Sequence, residues 1–139
     1  MASSVARMAA SDWAGAREEL QACRELDPEY AEVRFRLGRC LDALGDSAAA
    51  FEEYRAARDF DAIHFRACSA QNEIIRQVAR EWDTGGRHRV VLVDLERMLL
   101  EAYPYGPGHR VFTEHVHPYP AGHAWMAQAI ARRLSESEL

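Results

Sequence analysis

The residues most able to do chemistry lie together near the C-terminus: Glu114, His115, His117 and His123, in Phe112-Thr113-Glu114-His115-Val116-His117-Pro118 and Ala121-Gly122-His123. A carboxylate three positions before an imidazole has the spacing of the acid–base half of a hydrolytic triad. There the imidazole takes a proton from a serine hydroxyl, and the carboxylate orients the ring and stabilises its charged form. A turn brings residues three apart together, so Glu114 can reach His117. Pro118 and Pro120 stiffen the loop, and Gly122 permits a tight start to the helix that follows. The same residues allow other readings. In an extended segment His115 and His117 share one face, and His123 or Glu114 would complete a zinc site. Or the histidines only cover a surface loop.

The serine that a triad needs is harder to place. Ser3, Ser4, Ser11, Ser47, Ser69, Ser135 and Ser137 fall in tails or helical patterns. Gly45-Asp46-Ser47 lies in a turn between two helical runs, and no apolar strand precedes it as a nucleophile block requires. Ser69 reads as a helix N-cap or surface residue.

The elements that must hold the Glu114–His117 loop can be read outward from it. Pro120–Leu134 is a helix with Trp125, Met126, Ala129, Ile130 and Leu134 on its apolar side. Arg132 and Arg133 sit in the last turn, where the helix dipole favours cations. Tyr103–Gly108 is a loop broken by prolines and glycines. Leu95–Ala102 is a short helix. Arg89–Val93 is a continuous apolar, β-branched run and predicts a strand buried on both faces of a parallel sheet. Asp94 then stands at the strand's C-terminal end, where open α/β sheets place ligand crevices. Ala67–Trp82 is an amphipathic helix carrying Ile74, Ile75, Val78 and Ala79. A lone strand has unpaired edges and predicts self-association.

The first half carries an internal repeat. Asp12, Ala16, Glu18, Leu20, Cys23 and Asp27 recur as Asp46, Ala50, Glu52, Tyr54, Ala57 and Asp61, an offset of 34 residues, the period of tetratricopeptide (TPR) repeats. Between them Glu29–Leu44 holds Leu37-Gly38 and Leu41 at helical spacing. The pattern resembles one complete TPR-like unit preceded by the second helix of another. Ala16, Ala50 and Ala57 let helices approach, while Leu20, Leu37, Leu41 and Tyr54 fill the seam. Gly38 removes a side chain where the paired helix would clash. Asp12 and Asp46 are candidate N-caps. A solenoid of so few repeats must lean on something else, and the second half is the candidate.

Composition narrows the classes. The chain has 139 residues, 48% hydrophobic and 28% charged, with a net charge of −5. There is no basic stripe for nucleic acid. No stretch approaches the roughly 18 apolar residues of a membrane helix. Cys23, Cys40 and Cys68 form no C-x-x-C pair and read as small buried hydrophobes of a reducing compartment. The default location is the cytoplasm.

The run Asp59–Arg76, then Val90-Val-Leu-Val-Asp94, then Val111–Pro118 with Gly122, resembles the C-terminal region of SGNH (GDSL-type) hydrolases that carry an inserted TPR segment. The resemblance implies a TPR-like helical segment over residues 1–62. Residues 63–139 would be the C-terminal portion of an SGNH hydrolase-like α/β domain. The fold would be mainly α with a small α/β part: TPR-like hairpins, then the closing strand and helices of a flavodoxin-like layer. It implies ester or acyl hydrolysis without metal or other cofactor. His117 falls on the family's general base and Glu114 on its orienting acid, a Glu where the family has Asp. The family's Gly-Asp-Ser nucleophile block is missing from the hydrolase-like part, and Asn72 lies on a helix rather than in an oxyanion loop. The expectation is a C-terminal hydrolase segment inactive alone. The alternative is a TPR-like module that binds a protein or peptide partner without catalysis.

Overall fold

The computed structural model describes residues 1–83, 90–114 and 116–137. The chain divides into two units, Met1–His64 and Phe65–Leu139.

The first unit is four helices: α1 (Ala2–Ala9), α2 (Trp13–Leu26), α3 (Ala31–Ala43) and α4 (Ser47–Asp59). Their starts follow from two aspartates. The Asp12 carboxylate accepts from the Gly15 N–H at 3.0 Å, and Asp46 accepts from the Ala49 N–H at 3.0 Å. Each satisfies a backbone donor that the first turn would leave without a partner. The residue before each cap takes a left-handed backbone, Ser11 at φ 61° and Gly45 at φ 86°. The 34-residue offset is thus visible in turn geometry as well as in sequence.

The core of this unit is Met8, Ala16, Leu20, Val33, Leu37 and Cys40, with Trp13 and Cys23 packed against it. Leu20 and Leu37 fill the seam as the spacing predicts, at 0% and 1% exposure; Leu41 and Tyr54 are half-buried. One expectation is corrected. α1 precedes α2, so two helix pairs are present rather than one and a half, and they bury a core of their own. Ser4 stands in α1 where Gly38 stands in α3. Ser4 is fully buried, and its hydroxyl donates to the Met1 carbonyl at 2.7 Å, so the buried polar group has its partner.

Gly38 does what the sequence demands of it. A Cβ there would lie 2.6 Å from Cε1 of Tyr54 and 2.7 Å from its Cδ1. α3 and α4 approach this closely because position 38 has no side chain. Glu53, 8% exposed, accepts from Arg24 of α2 and, at 3.0 Å, from Arg34 of α3. Arg34 also donates to the Pro28 carbonyl at 2.8 Å and lies 6.0 Å from the centre of the Phe60 ring. One carboxylate therefore joins three helices and the loop before α3.

The second unit holds α5 (Ser69–Trp82), α6 (Leu95–Ala102), a 3₁₀ turn at Gly108–Arg110 and α7 (Pro120–Glu136). No strand is present among the described residues, which corrects the predicted α/β part. Val90–Val93 carry no regular secondary structure, and Arg89 lies outside the described residues. An apolar run becomes a strand only with a neighbour to pair with, and none runs beside it among the described residues. The one β-type pairing among them is an isolated bridge between Phe112 and Pro118.

The amphipathic reading of α5 holds, yet no residue of α5 is buried. Ile74, Ile75, Val78 and Trp82 are 58%, 53%, 46% and 67% exposed. On the opposite face Arg76 donates to Asp94 at 2.6 and 3.1 Å and to Glu96 at 2.7 Å. Leu99, Val111 and Ala129 are the buried hydrophobics of this unit. On α7, Ile130 and Leu134 are exposed at 39% and 46%, so its apolar side is only partly covered. The three cysteines are free thiols. Cys40 is buried, and burial pushes its thiol above the ordinary value.

Candidate functional site

Each unit presents one arrangement with chemical or binding capacity. In the second unit it is the loop from Val111 to Tyr119. The loop closes on itself: the Tyr119 N–H donates to the Val111 carbonyl at 2.8 Å. The Thr113 N–H and hydroxyl both donate to the His117 carbonyl at 2.8 Å. The Glu114 carboxylate turns inward and accepts from the His117 N–H at 3.0 Å and, more loosely, from the Val116 N–H at 3.3 Å. Its Oε1 also lies against Nδ1 of the His117 ring. The same carboxylate thus shapes the turn and orients the imidazole.

The His117 side chain is 79% exposed and Glu114 40%. With Nδ1 occupied, Nε2 is the ring nitrogen left for another group, as in an acid–base pair. Pro120 begins α7, and Gly122 brings that helix onto the loop. A Cβ at Gly122 would lie 2.7 Å from the Val111 carbonyl oxygen and 3.1 Å from Cβ of Pro118.

The other candidate residues are not gathered here. His123 is exposed in the first turn of α7. His115, part of the zinc reading, lies outside the described residues. Among the described residues no group of three His, Cys, Asp or Glu side chains could hold a metal ion. Ser47 is the first residue of α4, following the cap Asp46, so it is not a strand-borne nucleophile. Ser69 follows the cap of α5, which is Cys68, and Asn72 lies within that helix.

In the first unit the candidate is the exposed face of α3. Phe35 is 46% exposed and packs on Tyr54 with ring centres 5.7 Å apart. The Tyr54 hydroxyl donates to Asp42 at 2.8 Å; burial first, then Asp42, pushes that phenol well above its usual range. Arg39 lies one turn beyond Phe35 and is exposed. Arg7, Arg24, Arg34, Arg36, Arg55 and Arg58 in this unit all hold a carboxylate. Arg39 makes no such pair among the described residues. At the corresponding positions of α1 stand Met1 and Val5, both 40% exposed. Helical periodicity in the sequence marked the buried side of α3. It also implied this outer stripe of Phe35, Arg39 and Asp42, which sequence reasoning did not single out.

Residues 7–62 match the family model for the tetratricopeptide repeat. No solved structure matches the chain. No helix among the described residues is long and apolar enough to cross a membrane.

Proposed function

We propose that Met1–His64 is a protein-interaction module that takes an extended peptide segment along the exposed face of α3. The observation that carries the reading is the pairing of an uncovered aromatic with an unpaired cation one turn away, Phe35 and Arg39. Phe35 offers area for an apolar side chain, and Arg39 offers a guanidinium for a carboxylate. Met1 and Val5 extend the apolar part by one repeat. The TPR match over residues 7–62 supports the reading, because such repeats generally bind protein partners. A direct test selects peptides from a displayed random library against the full chain and maps the winners by amide chemical shifts. The expected result is a shared apolar–acidic pattern, shifts centred on α3, and loss of binding in Phe35→Ala and Arg39→Glu. Winners that bind both variants unchanged would remove this face from consideration.

A second reading rests on the Glu114–His117 pair: acyl-ester hydrolysis with His117 as general base and Glu114 as its orienting acid. The supporting observation is the inward carboxylate held against Nδ1 while the ring stays exposed. A base of this kind needs a serine hydroxyl within hydrogen-bond reach of Nε2. Incubation with p-nitrophenyl acetate and a fluorophosphonate probe tests it. Turnover abolished by His117→Ala supports the reading. Silence toward both reagents leaves this chain without hydrolytic capacity of its own.

A further inference from the structure

Val90–Val93 is an apolar, uncharged stretch whose backbone has unmet hydrogen-bonding capacity. Neither the N–H nor the carbonyl of Val90, Val91 or Leu92 pairs with another backbone group among the described residues. The Val93 carbonyl accepts only from the Leu95 N–H, at 3.0 Å. These are not fully wet positions: Val90 is 38% exposed and Val91, Leu92 and Val93 are half-buried. Backbone groups in that setting ordinarily find a partner.

The stretch is also anchored where it ends. Arg76 holds Asp94 at 2.6 and 3.1 Å, and Asp94 in turn caps α6 by accepting from the Arg97 N–H at 3.1 Å. Part of the entropy of ordering a strand is therefore already spent. Three of its four residues are β-branched, and it holds no glycine, proline or charge. Those are the features by which native sheets blunt an exposed edge, and here they are missing.

We propose that Val90–Val93 pairs antiparallel with the same segment of a second copy of this chain, forming a ladder across a two-fold axis. Only another extended backbone supplies donors and acceptors at the spacing of this row. An identical segment does so reciprocally, since across a two-fold each copy gives what it receives. Four uncharged residues set no like charges opposite one another. A ladder this short is marginal alone. The uncovered Ile74, Ile75, Val78 and Trp82 of the same unit supply further apolar area for a dimer to shelter.

Sedimentation of the full chain over a range of concentrations, combined with hydrogen exchange read at single amides, tests the proposal. The expected result is reversible dimerisation. As concentration crosses the dissociation constant, exchange at the paired amides of Val90–Val93 should slow by roughly tenfold or more. Val91→Pro, which deletes one donor, should sediment as a monomer while keeping the slow amides of the first unit. A chain that stays monomeric throughout overturns the proposal. So does a dimer in which these amides exchange no more slowly than in the monomer, or one that Val91→Pro leaves intact.

Discussion

Gly38→Ala separates two opposing effects at one position. In the middle of a solvated helix the change stabilises by about 0.5–1 kcal/mol, because glycine loses more backbone freedom on folding. In α3 the new methyl would sit 2.6, 2.7 and 3.0 Å from three ring carbons of Tyr54. Those atoms belong to the body of a rigid ring, so the ring must leave or the helices must part. Overpacking of this kind costs about 1–3 kcal/mol. A displaced Tyr54 also gives up its 2.8 Å hydrogen bond to Asp42 and its stacking on Phe35, together about 1–2 kcal/mol at a half-exposed site. Less the propensity gain, the net loss is about 1–4 kcal/mol. Exchange of the slowest amides in α3 and α4 reads it directly, since their opening reports the stability of the unit. The double variant gives the decisive comparison. With Tyr54→Ala already in place the clash has no partner, and adding Gly38→Ala should now stabilise by about 0.5–1 kcal/mol. Gly38→Ala that stabilises the otherwise unaltered chain would show that the close approach of α3 and α4 does not depend on this residue.

Three further outcomes are expected. Asp12→Ala and Asp46→Ala should each cost about 1 kcal/mol, and by similar amounts because both caps have the same 3.0 Å geometry; amide exchange in the first turns of α2 and α4 checks this. Arg76, and less so the Arg97 N–H, holds the Asp94 carboxyl below its ordinary value of 3.8. A depressed carboxylate contributes stability above its unfolded value, and that contribution is lost as pH falls through the folded one. The contact between α5 and Asp94 should therefore stay constant from neutral pH to about 4 and loosen below it, as followed by the Arg76 side-chain resonance, and Asp94→Asn should abolish that step. Gly122→Ala should push the Val111 carbonyl away from α7, and the Tyr119 amide bonded to that carbonyl should exchange faster while α2–α4 are unaffected.

How far the sequence could be read depended on whether the cause of each feature was local. The caps at Asp12 and Asp46 are local, since a short side chain satisfies an N–H three residues on; both were legible from type and position. The close approach at Gly38 was legible because a small residue amid larger apolar ones has few other uses in a helix. α1 was missed because Ala2–Ala9 is short and rich in small residues, so its apolar periodicity is faint. The signal that finds it is the repeat itself: 34 residues before Gly38 stands Ser4, another small side chain at the same close contact. The Val90–Val93 run misled for the opposite reason. A strand is a relation between two segments, and β-branched residues report a preference without reporting a neighbour. The Glu114–His117 pairing was legible at the level of contact. What the pair acts on depends on groups brought from elsewhere, which spacing along a chain does not encode.

Stacked helix pairs with only nearest-neighbour contacts tend to peel apart one pair at a time. Glu53 works against that, because its two guanidinium partners belong to α2 and α3 while it belongs to α4. Pulled between its ends in an optical trap, the first unit should hold its length as force rises and then give way in a single rip. With the Glu53 side chain shortened to alanine, the extension trace should break into two smaller steps.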